Sequence, residues 1–199
     1  AGFSKAETGL YPEDLLLILQ GGGINIDRGG EELIEAMSLV ENVSLIIAGS
    51  GDVLHKLRKM VEDLGISGRV KFISKLPWSE LMRFTRAADA GLSLDKDTNL
   101  NYRFSLPNKL FDYISAGIPV IAGNLQEVSA VINKYDCGLI IPEITPSAIA
   151  DAINKLRYNR ELLNKLKQNA VYASDDLSWE VESEKVKRFY RKIINVSQP

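Results

Sequence analysis

The stretch SLPNKLFDYISAGIPV, residues 105–120, combines residue types that could bind a phosphorylated ligand. Pro107 suits the first turn of a helix, where its missing N–H costs nothing, and it drives Leu106 into an extended conformation. We therefore expect a helix to begin at about Pro107, with unbonded backbone N–H groups and a positive dipole end at its start. Lys109 in the first turn adds a full positive charge, so this helix start could bind an anion such as a diphosphate.

Asp112 lies further along the same predicted helix, at a distance that suits a ribose. Asn108 and Asp112 share one face of the helix because they are four residues apart. Asp112 lies roughly 7 Å further along the axis than Pro107, at about 1.5 Å per residue, and its carboxylate can accept hydrogen bonds from two vicinal hydroxyl groups. The opposite face is apolar and could pack on a core (Leu110, Phe111 and Ile114). The alternative is an ordinary capped helix whose Asp112 and Lys109 are merely solvated.

Composition and charge exclude several classes of protein. The 199 residues suffice for one sizeable domain, and 45% apolar with 25% charged residues is the balance of a soluble globular protein. The formal net charge of −2 gives no basic excess that would indicate nucleic acid as a partner. The single cysteine, Cys137, cannot form an internal disulfide, which is compatible with a reducing, cytoplasmic location. We expect no membrane span and no signal peptide, and the start without Met suggests a piece of a longer protein.

Apolar runs and helical periodicity alternate along the chain, which predicts an α/β fold. Strands are predicted at residues 14–20, 43–48, 69–73, 90–94, 119–122 and 138–141. Helices are predicted at about 30–40, 53–64, 78–88, from 107, at 125–134, from 146 after the cap Thr145, and at 160–173 and 178–194. The expected architecture is a Rossmann-like, doubly wound parallel sheet with helices on both faces. We assign residues 1–13 to a lead-in or linker, 14–177 to this domain and 178–199 to a C-terminal helix.

Ligands of open α/β sheets bind at the carboxyl ends of the strands, where this sequence has glycine-rich turns. In GGGINIDR, after the first strand, Gly22 and Gly23 let the backbone approach a ligand closely. Arg28 at the end of this turn can hold phosphate oxygens with two parallel hydrogen bonds. The alternative is a flexible turn with a surface arginine. Gly49 and Gly51 form a second turn, GSGD, which alone is a weak indication because strand-to-helix turns often need glycine.

Two further segments belong to the same edge of the predicted sheet. The turn ISKLP carries Lys75 and Leu76, although a plain loop with a solvated lysine is nearly as good an interpretation. The long polar loop after the fourth strand runs from residue 95 to residue 104, and long loops in compact domains are often functional. Within it, Asn101 and Tyr102 are candidate contacts for a sugar or a phosphate, with simple solvation as the alternative.

Other kinds of site are not supported by the sequence. Neither GGGINI nor GSGDVL carries the third glycine of a dinucleotide-binding fingerprint, and Gly-Lys-Ser/Thr of a phosphate-binding loop is absent. His55 and Cys137 are each the single residue of their type, so we expect no zinc site and no Ser-His-Asp triad. We expect Trp78 and Trp179 to be packing residues rather than partners of a stacked base.

The central block NKLFDYISAGIPVIAG resembles the nucleotide-sugar-binding motif of glycosyltransferase family 4, the group 1 glycosyltransferases. It matches the variant that reads Pro-Asn-Lys, then Asp/Glu-Tyr, then Ala-Gly-x-Pro-Val. The resemblance extends over about residues 15–190 and includes the arginine-glycine turn, GSGD, RVKFI and the closing helix near Trp179. One position departs from the pattern: many members carry a second acidic residue eight positions before Asp112, where it touches the transferred sugar, and Phe104 stands there in this sequence.

The resemblance implies roles for the residues along this edge. Asp112 would hold the ribose hydroxyls of a nucleoside diphosphate sugar, and Lys75 and Leu76 would lie against the base. Arg28 and Lys109 would act as the catalytic cations that neutralise the departing diphosphate. The remaining predicted substrate-binding residues belong to the neighbouring turns and the helix start (Gly22, Gly23, Gly49, Gly51, Asn101, Tyr102, Ser105, Pro107 and Asn108).

The resemblance also implies a function for the protein to which this chain belongs. In the family, such a region is the C-terminal, donor-binding half of a GT-B enzyme that transfers a sugar, with retention, from a nucleoside diphosphate sugar to a glycan or lipid-linked acceptor. No metal or other cofactor is expected, and the cytoplasmic enzyme could associate with the inner face of a membrane. The acceptor half is missing here, so we expect the chain alone to bind donor weakly and turn over poorly. The resemblance also implies that the helix at 178–199 would pack on that missing half through an apolar face (Val186, Phe189, Tyr190, Ile193 and Ile194). A sugar-nucleotide epimerase of the same fold and a non-enzymatic nucleotide-binding domain are the alternatives.

Overall fold

Six parallel strands form one sheet in the computed structural model, which describes residues 3–196. The strands are β1 (Leu15–Gly21), β2 (Val43–Gly49), β3 (Val70–Ile73), β4 (Ala90–Ser93), β5 (Val120–Gly123) and β6 (Gly138–Ile141). They lie in the order β3-β2-β1-β4-β5-β6, and all neighbours pair in parallel. Each strand agrees with the sequence prediction to within one residue at either end. The predicted parallel α/β fold is therefore confirmed.

Helices cover both faces of this sheet. They are α1 (Gly30–Ser38), α2 (Leu54–Asp63), α3 (Trp78–Ala87), α4 (Leu100–Phe104), α5 (Asn108–Ser115), α6 (Gln126–Tyr135), α7 (Pro146–Tyr158), α8 (Arg160–Asp176) and α9 (Trp179–Val196). Side chains of β1 alternate between two cores. Leu17 and Leu19 pack with residues of α1, α2 and α7, whereas Leu16 and Ile18 pack with residues of α5, α6 and α8. Burial on both faces explains why β1 is a continuous apolar run.

The strand order opens a crevice above β1 and β4. The chain runs from β1 outward to β2 and β3, and α3 then returns it to the other side of β1 as β4. The turns after β1 and β4 therefore lead to opposite sides of the sheet, and the carboxyl ends of these two strands flank a gap between them. Such a reversal of strand order is where open α/β sheets bind their ligands.

Helix α5 begins one residue later than predicted. Pro107 has ψ of 140°, an extended conformation, so it is the N-cap, and Asn108 is the first helical residue. The prediction of a helix that begins at about Pro107 is therefore confirmed to within one residue. Helix α7 follows the sequence prediction, because Thr145 caps it by accepting a hydrogen bond from the N–H of Ala148 at 3.3 Å and Pro146 begins it.

The structure contains two short elements that the sequence does not predict. Lys5–Thr8 forms one turn of 3₁₀ helix within the predicted lead-in, and α4 lies in the segment predicted as a loop. The side chain of Asn99 caps α4 by accepting a hydrogen bond from the N–H of Tyr102 at 2.9 Å. Elements of four or five residues are too short for an apolar period to show in a sequence.

Asp89, just before β4, anchors the start of the described chain to the sheet and to α8. Its buried carboxylate accepts hydrogen bonds from the N–H of Leu16 at 3.0 Å, from Lys167 at 2.8 Å and from Lys5. Burial alone raises the pKa of Asp89, but the hydrogen bonds from the two lysines outweigh burial, and the pKa is lowered. The described part of the predicted lead-in is thus held on the domain; residues 1, 2 and 197–199 lie outside the described residues.

The apolar face expected on the last helix is present and exposed. On α9, Val186, Phe189 and Tyr190 are 48%, 62% and 59% exposed. Between residues 3 and 196, no helix combines the length and the apolar character needed to cross a membrane.

Candidate functional site

A buried carboxylate brings two cations together in the crevice above β1 and β4. Arg28, at the end of the turn after β1, donates from Nη1 to Oδ1 of Asp95 at 2.8 Å. Lys109, in the first turn of α5, places Nζ 2.9 Å from Oδ2 of the same residue. Asp95 follows β4 closely, and its side chain is 4% exposed, against 10% for Lys109 and 28% for Arg28. Three segments far apart in sequence therefore meet in one charge cluster, which carries a net positive charge.

Burial and neighbouring charges set the protonation of the two cations. Burial lowers the pKa of Lys109 and nearby Arg28 lowers it further, while Asp95 acts in the opposite direction; the net shift is downward. For Arg28, burial also disfavours the charge, but the attraction of Asp95 outweighs it, so the pKa of Arg28 is raised. The guanidinium also lies over the ring of Tyr102, with Cζ 4.5 Å from the ring centroid. Asp95 is therefore the group that favours the charged form of the buried Lys109 side chain.

The start of helix α5 opens next to these cations. The carbonyl of Pro107 accepts the N–H of Leu110 at 3.0 Å. Within the described residues, the backbone N–H groups of Asn108 and Lys109 have no acceptor. Free N–H groups at a helix start are oriented to bind an anion, and the helix dipole favours negative charge at the same place.

Two connected clefts lead away from the charge cluster. The narrower one, of about 250 Å³, is lined by Gly22, Gly23, Arg28 and the residues of the α5 start. The wider one, of about 450 Å³, extends along α5 to Asp112 and has an apolar wall formed by Leu76, Pro77, Trp78 and Leu81. Gln20, Gly22 and Lys109 are among the residues that line both. A ligand with a charged centre and a flatter, less polar end would match this pair of clefts.

Asp112 lines the wider cleft, and both of its carboxylate oxygens accept hydrogen bonds from side chains. Nε2 of Gln20 donates to Oδ2 at 2.9 Å, and Nε1 of Trp78 donates to Oδ1 at 2.9 Å. Gln20 is the last but one residue of β1 and is 2% exposed, whereas Trp78 at the start of α3 is 60% exposed. The prediction that Trp78 is a packing residue is therefore wrong. Its ring forms part of the cleft wall, and its N–H contacts a predicted site residue.

A family model described as "Glycosyl transferases group 1" matches residues 5–171. The chain belongs to this family. The D-inositol 3-phosphate glycosyltransferase of Corynebacterium glutamicum (strain R) is 26% identical over 201 aligned residues, which cover 96% of this chain and 46% of that protein. The chain thus spans about half the length of the curated relatives that it matches.

Solved structures agree with the family assignment of this group 1 glycosyltransferase chain. The sucrose-phosphate synthase of Thermosynechococcus elongatus superposes with a TM-score of 0.78 at 20% identity, covering 97% of this chain and 49% of that one. HepE of Anabaena, solved with UDP and glucose, superposes with a TM-score of 0.78 at 15% identity, covering 91% and 49%. At these identities the likeness shows the fold alone, which is that of GT-B glycosyltransferases. The resemblance stated from the sequence is confirmed at this level.

Most predicted site residues of the glycosyltransferase chain line the two clefts. They are Gly22, Gly23, Arg28, Gly49, Lys75, Leu76, Pro107, Asn108, Lys109 and Asp112. Their individual contacts with a donor stay predictions. Phe104, which replaces an acidic residue of the family motif, lies at the end of α4 and is 53% exposed.

Four predicted site residues lie outside the clefts. Gly51 is needed for close packing, since a Cβ there would lie 1.9 Å from the carbonyl oxygen of Ile24. Tyr102 stacks on Arg28 instead of facing a cleft. Ser105 has its hydroxyl 3.4 Å from the carbonyl of Tyr102, and Asn101 is exposed on α4. A role of these four in donor binding likewise stays a prediction.

Sequence reasoning missed several residues of the site. Gln20 and Asp95 are polar residues at the carboxyl ends of β1 and β4, and this position was the signal that could have identified them. Tyr113, adjacent to Asp112, was also missed. Its hydroxyl accepts the N–H of Gln20 at 3.2 Å and lies 3.1 Å from the carbonyl of Leu92, and burial raises its pKa. Through these bonds Tyr113 fixes helix α5 to the end of the sheet.

Proposed function

We propose that this chain is the donor-binding half of a retaining glycosyltransferase. The intact enzyme would move a sugar from a nucleoside diphosphate sugar to a hydroxyl group of a glycan or lipid-linked acceptor. The observation that carries this proposal is the convergence of Arg28 and Lys109 beside the open start of α5. Family membership supports it, as do a named relative that acts on inositol 3-phosphate and a structural neighbour solved with UDP and glucose.

The donor would extend from the charge cluster into the wider cleft. Its diphosphate would lie at the α5 start, within reach of Arg28, Lys109 and the free N–H groups. Its ribose hydroxyls would donate to Asp112, and its base would lie against the wall near Lys75 and Leu76. This order follows from the arrangement of the clefts. The charge cluster lies at the start of α5, and the wider cleft leads from there along α5 to Asp112.

The chemical step would break the bond between the anomeric carbon of the sugar and the diphosphate oxygen and form a bond from that carbon to the acceptor oxygen, whose proton can pass to the departing diphosphate. The electron pair of the broken bond stays on the diphosphate, so negative charge grows where the two cations and the helix start lie. Preorganised groups of this kind stabilise the transition state more than the ground state, and losing one such donor typically lowers kcat by about 10²–10³. We infer that the cations replace a metal ion in this role. The acceptor and the residues that contact it would come from the other half of the protein, so this chain alone would turn over poorly.

The proposal is tested first by nucleotide binding. Calorimetry on the 199-residue chain with UDP, GDP and ADP should give saturable binding of at least one of them. Arg28→Ala and Lys109→Met should each weaken that binding by about tenfold or more, since each removes a charged hydrogen bond to the diphosphate. Arg103→Ala is the matched control, because Arg103 lies on α4, the helix before α5, and pairs with exposed Asp97.

The second test is turnover by the intact enzyme. Arg28→Ala and Lys109→Met should lower kcat by about 10² or more, with Arg103→Ala near the wild-type value. Near-normal turnover in both cation variants would contradict the mechanism. Failure of all three nucleotides to bind the folded chain would contradict the function itself.

A further inference from the structure

We propose that Thr85, Gln20 and Trp78 form a relay of hydrogen bonds that positions Asp112 to bind the ribose of the donor. This inference rests on the proposed function and concerns the same site. It assigns a role to three residues that neither a sequence motif nor a charge identifies. Thr85 lies on α3, Gln20 at the end of β1 and Trp78 at the start of α3, so the relay connects two elements to α5.

The direction of each hydrogen bond follows from the chemistry of the groups. The carboxylate of Asp112 only accepts, so the amide nitrogen of Gln20 must face it, at 2.9 Å. The amide oxygen of Gln20 then faces Thr85, whose hydroxyl donates to it at 2.7 Å. The carboxylate therefore sets the orientation of the amide, and the Thr85 hydroxyl, which also lies 3.0 Å from the carbonyl oxygen of Leu81, is the partner of the amide oxygen. Without that hydroxyl, the amide oxygen of Gln20 would be buried without its hydrogen bond, and the side chain would be held less firmly against Asp112.

Burial makes these hydrogen bonds important for the position of Gln20. Thr85 is 0% exposed and Gln20 is 2% exposed, so the described protein groups must supply most of their hydrogen bonds. The backbone N–H of Gln20 is in turn bonded to the hydroxyl of Tyr113, at 3.2 Å. The backbone of Gln20 is therefore fixed by Tyr113 of α5, and its side chain holds Asp112, the residue that precedes Tyr113. Buried polar networks that are fully bonded define one arrangement of side chains.

Trp78 completes the relay from the solvent side. Its indole N–H, which can only donate, contacts the other carboxylate oxygen of Asp112 at 2.9 Å. With one donor on each oxygen, the carboxylate of Asp112 cannot rotate freely. A carboxylate has about four lone-pair positions, so two remain for the vicinal hydroxyls of a ribose. The short side chain of Asp112 is thereby held at a fixed distance from the cleft.

The ribose itself provides a readout that a purely structural role would not change. We would measure the affinity of the 199-residue chain for UDP and for 2′,3′-dideoxy-UDP, and likewise for the GDP and ADP pairs. The ratio of the two dissociation constants reports the contribution of the hydroxyls. Trp78→Phe keeps an aromatic ring and removes the N–H, and Thr85→Val keeps the shape and removes the hydroxyl. Matched controls are Tyr172→Phe, which removes a polar hydrogen from an exposed aromatic side chain on α8, and Thr8→Val, which changes an equally buried threonine.

We expect the wild-type chain to prefer the ribose form at least tenfold, and each relay variant to lose most of this preference. Both controls should keep the wild-type ratio. If Trp78→Phe and Thr85→Val are folded and retain the full ratio, the relay is refuted while the proposed function stands. If no nucleotide binds the wild-type chain, the proposed function fails and the relay fails with it.

Discussion

Replacing Asp95 by Asn should destabilise the fold strongly, because this carboxylate holds two cations in a buried position. At an effective dielectric constant of about 20, an ion pair at 2.9 Å is worth about 6 kcal/mol before desolvation. The Asn variant loses the attraction to both cations and leaves Arg28 and Lys109 repelling each other, while the relieved desolvation of the carboxylate offsets part of the loss. The expected decrease in the free energy of unfolding is about 3–5 kcal/mol at pH 7.

This decrease should become smaller as the pH rises. Burial and Arg28 lower the pKa of Lys109, and Asp95 counteracts them, so removing Asp95 moves the folded-state pKa of Lys109 further down. A lysine whose folded-state pKa is depressed binds fewer protons in the folded state, and stability rises with pH from the folded-state pKa up to the unfolded-state value of about 10.4. In Asp95→Asn this rise in stability with pH begins at a lower pH than in the wild type. The free energies of unfolding of the two proteins should therefore approach each other as the pH rises toward the unfolded-state pKa of about 10.4.

The assay is urea unfolding followed by circular dichroism at several pH values. Asp97→Asn is the matched control: it lies two residues away, its partner Arg103 is exposed, and its loss should cost less than about 1 kcal/mol at every pH. The double variant Asp95→Asn/Lys109→Met should be more stable than Asp95→Asn at pH 7, because it no longer contains two facing cations. If Asp95→Asn costs as little as Asp97→Asn and shows the same pH dependence, the three charges are not coupled as described.

Three further outcomes can be measured on the same chain. Tyr113→Phe should lower the free energy of unfolding by about 1–3 kcal/mol in urea, since it leaves a buried backbone N–H without its acceptor. Gly49→Ala should prevent stable folding or lower the melting temperature sharply, because its Cβ would lie 1.8 Å from the carbonyl oxygen of Gly21 at a φ of +140°, whereas Gly22→Ala, with no atom within 4 Å, should melt like the wild type. The thiol of Cys137 should react with a disulfide reagent at pH 8 only after unfolding, because it is buried and burial raises its pKa to about 11.

The sequence predicts the fold and the location of the site well where local pattern decides them. Apolar runs that are buried on both faces define the strands, and the carboxyl ends of parallel strands meet at one edge, so Arg28, Lys109 and Asp112 were placed together correctly. The sequence predicts the start of α5 only to within one residue, because a proline is compatible with both the N-cap and the first helical position.

Contacts that depend on strand order could not be predicted in the same way. Asp95 contacts Arg28 only because β4 lies beside β1 in the sheet, and no local sequence pattern predicts this pairing of strands. The orientation of Trp78 was also missed, because apolar spacing along α3 does not reveal whether the first ring of a helix faces the core or a cleft. Gln20 appears in the sequence as one polar residue at the end of an apolar run, and its three partners come from α3 and α5.

The contact between Gly91 and Tyr113 constrains how this chain can diverge in evolution. A Cβ at position 91 would lie 2.3 Å from the Tyr113 ring, so any larger residue in that strand would push the ring, and with it helix α5, off the sheet. Tolerated substitutions at the two positions should therefore be correlated: a larger residue in the strand requires a smaller one on the helix, which would give up the phenol. In a library that varies both positions together, survivors should keep glycine wherever tyrosine is kept.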